Sequence, residues 1–166
     1  MSQVDLQILS ITMRQKIDAE VAKYPEGKQR SAVLMALRIV QDEVGYLHKA
    51  AMDEVASYLS LAPVAVYEVA SFYSMYKLKP TGTHHIKVCN SISCKLCGSD
   101  KITAHLQKKL GVNIGETTTD GKFTLDYAEC LAACCNAPVV IVNDKTYHND
   151  VTESALDQLI DELSEE

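Results

Sequence analysis

Apolar residues recur at helical spacing through the first eighty positions. Ile8, Ile11, Ile17 and Val21 mark a first helix that stops before Pro25. Val33, Leu37, Val40 and Val44 fall at intervals of four, three and four, laying one apolar stripe along a second helix. Ser31 is placed to cap its start, and Gly45 to end it in a left-handed turn. Met52, Val55, Ala56 and Leu59 outline a third helix. Pro63 suits the first turn of a fourth, running through Val66, Val69, Ala70 and Tyr73. Short connections between these helices predict an antiparallel helical bundle.

Beyond residue 83 the period changes. His85-Ile86-Lys87-Val88 reads as a strand ending at Cys89, and residues 100–110 as a helix stopped by Gly111. Phe123 to Tyr127 reads as a strand leading into Cys130. The apolar run Pro138 to Val142 reads as a buried strand. Asn143-Asp144-Lys145 turns that run into a short partner near Thr146-Tyr147. Thr152 is placed to cap a last helix with Leu156, Leu159 and Ile160 inward and a frayed acidic end. Strand–helix–strand–strand–helix suits a small α/β domain of the thioredoxin type. The fold class is therefore α+β, an N-terminal helical bundle over residues 1–80 and an α/β domain over 84–166. The Pro/Gly turn Lys79-Pro80-Thr81-Gly82-Thr83 separates them.

Charge follows the same division. The chain has 166 residues, 47% of them hydrophobic, and a net charge of −6. Residues 1–83 hold nine basic and nine acidic side chains. Residues 84–166 hold seven Lys, no Arg and thirteen acids, so the whole net charge belongs there. Such a balance argues against nucleic acid as a partner, which needs a Lys/Arg surface. No run of about eighteen apolar residues exists, so no direct membrane insertion is expected. Residues 1–18 carry one Arg and no continuous apolar stretch. A secretory signal is thus not expected there, and a cytoplasmic location is.

All six cysteines also lie in the acidic part: Cys89, Cys94, Cys97, Cys130, Cys134 and Cys135. In a cytoplasmic chain they point to metal ligands or redox thiols before structural disulfides. Cys89-x4-Cys94 and Cys130-x3-Cys134 each follow a predicted strand end, where loops can approach one another. Four converging thiolates suit a soft metal centre such as a [2Fe–2S] cluster. Three other readings stand beside it. Cys89-x4-Cys94-x2-Cys97 matches the plant-type ferredoxin run and would need one distant Cys. Cys94-Lys95-Leu96-Cys97 is a C-x-x-C before a helix, as in thiol–disulfide oxidoreductases. A four-cysteine zinc site is the third. No Cys-x-His pair supports a Rieske centre.

Three stretches carry a family resemblance. GVNIGETTTDGKFTLDYAECLAACCNAPVVIVND, VASFYSMYKLKPTGTHHIKVCNSISC and RSAVLMALRIVQDEVGYL begin at Gly111, Val69 and Arg30. Together they resemble the small thioredoxin-like [2Fe–2S] subunit of NADH:quinone oxidoreductase, the respiratory complex I translocase. The likeness extends over nearly all the chain beyond about residue 14. It implies that Cys89, Cys94, Cys130 and Cys134 hold one [2Fe–2S] cluster, with Cys97 and Cys135 outside the motif. It further implies docking, partly through the helical unit, on a flavoprotein subunit that binds FMN and NADH within the peripheral arm. The cluster would exchange single electrons near that flavin, off the main path to quinone. The complex would place the chain peripheral to the inner membrane. Related modules in NAD-linked hydrogenases and formate dehydrogenases imply the alternative parents.

The remaining residues bear on this reading in smaller ways. No G-x-G occurs, so neither a Rossmann fingerprint nor a P-loop is present. No nucleotide site or complete catalytic set is expected in this chain alone. Glu129 reads as a solvated charge. His84 and His85 read as half-exposed residues opening a strand. Tyr67, Phe72, Tyr73, Met75 and Tyr76 read mostly as core or inter-domain contact. Pro138 opens its strand where thioredoxin-like folds carry a cis proline, and cis and trans are both open. The acidic surroundings should lower a cluster's reduction potential, while donors such as Ser91, Ser93 and Asn136 would raise it. The expectation is a low-potential cluster.

Overall fold

Ser10 sets the phase of the first helix. A computed structural model describes residues 8–165. In it the Ser10 Oγ accepts the Met13 N–H at 3.2 Å and caps α1 (Ile11–Val21). That start turns Met13 and Ile17 inward beside Leu9 and leaves Ile11 on the surface, 77% exposed. The inward role expected of Ile11 is therefore corrected. The expectation about a leader rests partly on residues 1–7, which lie outside the described residues.

α2 (Val33–Val44) buries Val33, Leu37 and Val40 as the stripe predicts. Ser31 does not cap it. Ser31 lies inside a 3-10 turn (Gln29–Ala32), and the helix starts from Ala32 without a side-chain cap. Gly45 ends α2 with φ 91, where its N–H reaches Gln41 O at 2.8 Å. His48 Nδ1 accepts the Ala51 N–H and caps α3 (Lys49–Tyr58), and Pro63 opens α4 (Pro63–Phe72). The four helices share one core that includes Ile17, Leu37, Val40, Val55 and Val66. Of the aromatic and Met cluster only Tyr76 is buried. Phe72, Tyr73 and Met75 are exposed: Phe72 is the last residue of α4, off the face that buries Val66 and Ala70, and Tyr73 and Met75 follow its end, where the helical period no longer aims them inward.

The chain divides into two compact units between Pro80 and Thr81. The second unit is a five-stranded sheet of order β2-β3-β1-β4-β5. Its strands are β1 (His84–Cys89), β2 (Glu116–Thr117), β3 (Phe123–Ala128), β4 (Val140–Val142) and β5 (Thr146–His148). β1 and β3 are parallel, with Cys89 opposite Ala128; the other pairings are antiparallel. Ile86, Val88, Leu125, Val140 and Val142 form a core with Ile102 and Leu106 of α6 (Ser99–Leu110) and Leu156 and Ile160 of α7 (Glu153–Glu165). Gly111 ends α6 in the left-handed region. The Thr152 Oγ1 caps α7 by accepting the Ala155 N–H at 3.2 Å. The acidic end expected to fray is helical through Glu165, where the Lys122 ammonium donates to the Ser164 carbonyl.

Two elements go beyond the sequence reading, α5 (Ile92–Leu96) and the two-residue β2. His84 and His85 also differ from it, being 5% exposed each. His84 stacks near the Phe123 ring. His85 exchanges backbone and side-chain bonds with Asn143 and lies 3.6 Å from the Asp126 carboxylate. Their place inside the sheet between β3 and β4 buries them.

Candidate iron–sulfur site

Both cysteine pairs sit where adjacent parallel strands end. β1 delivers Cys89 at its last position. Asn90 continues the pairing with β3 by donating to Ala128 O at 2.8 Å. Ser91 then starts α5, which carries Cys94 into the same buried pocket. Cys89 and Cys94 are 3% and 1% exposed. They pack with Val139, against Leu131, Ala133 and Ala137. The Cys89 N–H donates to Val139 O at 3.0 Å, tying the end of β1 to the segment just before β4.

The second pair lies on the loop after β3. Cys130 follows Ala128 by two residues, and Cys134 opens a 3-10 turn (Cys134–Asn136). Both thiols are exposed. Between them Ala132 adopts φ 56, a left-handed conformation that costs a non-glycine residue about 1 kcal/mol. Its N–H donates to Cys130 Sγ at 3.4 Å. The Ala137–Pro138 bond after the turn is cis.

The thiol environment is electrostatically distinct at Cys94. Burial chiefly, then its hydrogen bond with Cys89, pushes the Cys94 thiol up to about 11. The Val139 backbone N–H opposes that shift, and Cys134 is near enough to reinforce it. Three of the four motif cysteines are thus electrostatically connected, and the loop carrying Cys134 also carries Cys130. Among the described residues no three His, Cys, Asp or Glu side chains close around a single-ion position. A two-iron cluster makes a different demand, since it spans two thiolate pairs.

Other residues fall into place around this geometry. Cys97 ends α5 and is exposed, as is Cys135 within the 3-10 turn. Glu129 is exposed beside Cys130. His84 and His85 open β1, the strand that Cys89 closes. The Asn136 side chain, expected near the sulfurs, donates instead to Asp150 at 3.2 Å. Asp150 lies fourteen residues away from Asn136 and belongs to no cysteine motif, so spacing did not single it out.

A sheet with parallel β1 and β3, antiparallel β4 and β5, helices on it and two cysteine pairs at or just after adjacent strand ends is a thioredoxin-like arrangement. The chain belongs to the thioredoxin-like [2Fe-2S] ferredoxin family, whose model matches residues 17–164. It is 44% identical over 151 residues to an NADH-quinone oxidoreductase subunit of Rhizobium meliloti, covering 91% of this chain and 88% of that protein. It is 48% identical to an NADH-quinone oxidoreductase subunit of Rickettsia felis, over 87% of this chain and 86% of that protein. An NADH-quinone oxidoreductase subunit of Thermus thermophilus is 40% identical, over 87% and 80%. The fold resembles a chain of an NAD+-reducing [NiFe]-hydrogenase in the H2-reduced state, with TM-score 0.71 at 21% identity. That likeness covers 81% of this chain but 22% of the other. Among the described residues no helix is long and apolar enough to cross a membrane.

Proposed function

We propose that this chain is the electron-carrying [2Fe–2S] subunit of the NADH-oxidising part of an NADH:quinone oxidoreductase. Cys89, Cys94, Cys130 and Cys134 are its ligands in this reading. The observation that carries it is the placement of two cysteine pairs at or just after the ends of the adjacent parallel strands β1 and β3. Cys94 lies beside Cys89 and near Cys134, in a chain whose relatives bear the names of that enzyme's subunits.

When bound, a [2Fe–2S] cluster supplies a one-electron carrier. The chain's own residues supply its setting. Cys89 and Cys94 offer thiols from an apolar pocket that excludes water on one side. Cys130 and Cys134 offer theirs from an exposed loop, the side open to an electron donor. The Ala132 N–H, already on Cys130 Sγ, stabilises negative charge there. FMN and NADH belong to a partner flavoprotein subunit, on which the helical unit (residues 1–80) helps to dock. The complex would sit on the cytoplasmic side of the inner membrane. Copurification with native partners separates this parent from a hydrogenase or formate dehydrogenase.

The dithiol reading fares worse on physical grounds. A nucleophilic thiol is exposed and shifted downward, whereas Cys94 is buried and shifted upward. Anaerobic purification followed by visible absorption, EPR after reduction, and iron and sulfide analysis tests the cluster directly. The expected result is a coloured, reducible centre with two irons per chain. Cys97→Ser should keep that centre and Cys94→Ser should lose it. A colourless protein rejects the cluster, and loss of iron in Cys97→Ser would replace the ligand set with the plant-type one.

A further inference from the structure

The loop bearing Cys130 and Cys134 is tied down at a point that no cysteine motif marks. Asn136, at the end of the 3-10 turn, is held twice by Asp150. The Asn136 Nδ2 donates to Asp150 Oδ2 at 3.2 Å, and the Asp150 N–H donates to Asn136 O at 2.8 Å. One residue on, the Val151 N–H donates to Pro138 O at 3.0 Å, while the Val151 side chain is buried in the core between sheet and helices. Asn136 also closes its own turn by donating to Ala133 O at 3.0 Å. Residues 150–151 therefore run beside residues 136–138 and fix them to the body of the unit. Asp150 does this with φ 49, a left-handed conformation that Asp, Asn and Gly accept better than other residues.

We propose that Asp150 is a positioning residue for Cys134, and that its carboxylate is one of the charges that set the cluster's reduction potential. This rests on the [2Fe–2S] reading above. Cys134 is two residues from Asn136, so a turn released at Asn136 leaves the Cys134 sulfur free to shift. Partners behind a ligand fix its orientation and tune the metal. A carboxylate held at that turn also opposes the arrival of an electron, which lowers the potential.

Three variants of the full chain separate tie from charge. Asp150→Asn keeps the left-handed backbone, and its amide oxygen still accepts from Asn136, so only the charge goes. Asp150→Gly keeps the backbone conformation and removes the side-chain tie. Asp120→Asn removes a charge from the turn before β3, about 20 Å along that strand from Cys130, and keeps an acceptor for the Lys122 N–H. The readouts are midpoint potential, EPR g-values and rate of iron loss to a chelator. Asp150→Asn should raise the potential with wild-type g-values, while Asp120→Asn leaves it near wild type. Asp150→Gly should change the g-values and lose iron faster. Equal shifts in Asp150→Asn and Asp120→Asn overturn the charge role. Wild-type g-values and chelator resistance in Asp150→Gly overturn the positioning role. If Asp150→Gly does not fold, Asn136→Ala removes the same side-chain tie from its other end and is read by the same g-values and chelator resistance, with wild-type values overturning the positioning role. A wild-type protein without iron fails at the cluster reading itself, a result distinct from either of these.

Discussion

Tyr76 ties the end of the helical unit to its core. Its hydroxyl donates to Leu34 O at 2.7 Å. Nearby, buried Gln41 holds the same segment through Met75 O and the Lys77 N–H. Burial pushes the Tyr76 phenol up to about 12, with Arg38 opposing and Tyr73 assisting. An upward shift fixes the sign. The neutral phenol stabilises the fold below its ordinary value of about 10, and that contribution is lost as pH rises through about 12. Tyr76→Phe should cost about 1 kcal/mol near neutral pH through the lost hydrogen bond. It should also unfold less steeply than wild type through that alkaline window, followed by helical circular dichroism. An alkaline decline as steep as that of wild type would show that the phenol is not its source. Period alone did not separate Tyr76 from Phe72, Tyr73 and Met75, because all four lie at or beyond the last residue of the helix that gave the pattern its phase.

At the scale of elements, legibility tracked how much apolar surface an element buries. α2 and α6 show a stripe in sequence because one face meets a core and the other meets water. α5 is five residues long, and its Ile92 and Leu96 point outward at 69% and 82% exposure, so no inward stripe exists to read. β2 is two exposed residues held by pairing with β3. The entry into β1 carries a constraint that only the fold displays. A Cβ on Gly82 would stand 2.7 Å from Lys122 O and 2.9 Å from the Phe123 carbonyl carbon, both backbone atoms that cannot swing aside. Gly82 also donates to Thr124 Oγ1 at 2.7 Å, and His84 N–H donates to Lys122 O at 2.8 Å. Gly82→Ala should therefore part the start of β1 from β3 and cost roughly 1–3 kcal/mol. Faster hydrogen exchange at the His84 amide, with lower denaturant resistance, would register it. Unchanged exchange there would mean that the approach is looser than these distances.

Across the whole molecule, the four motif cysteines were legible because each pair follows a strand end, a local signal. Pro138, just after the second pair, was legible too, but Val139 and Asp150 were not, since they meet the cysteine-bearing segments only through tertiary pairing. Charge distribution is the property that belongs to no single residue. The unit that bears the cysteines carries the net −6, and several of its lysines are already engaged. Lys87 pairs with Asp144 at 2.8 Å, Lys109 with Asp161 at 2.8 Å, and Lys122 with the end of α7. An electron added to a thiolate-bound cluster enters that negative field, so the cluster is expected to have a low potential. Exposed charges act across a distance that salt controls. Raising ionic strength from about 0.01 M to about 1 M shortens the Debye length from roughly 30 Å to roughly 3 Å. Screening should weaken the repulsion, and the midpoint potential of the purified protein should rise with salt. Redox titration at several ionic strengths measures this. A clearly positive potential at low salt, or one that stays flat or falls as salt increases, would show that local donors such as the Ala132 N–H outweigh the field of the unit.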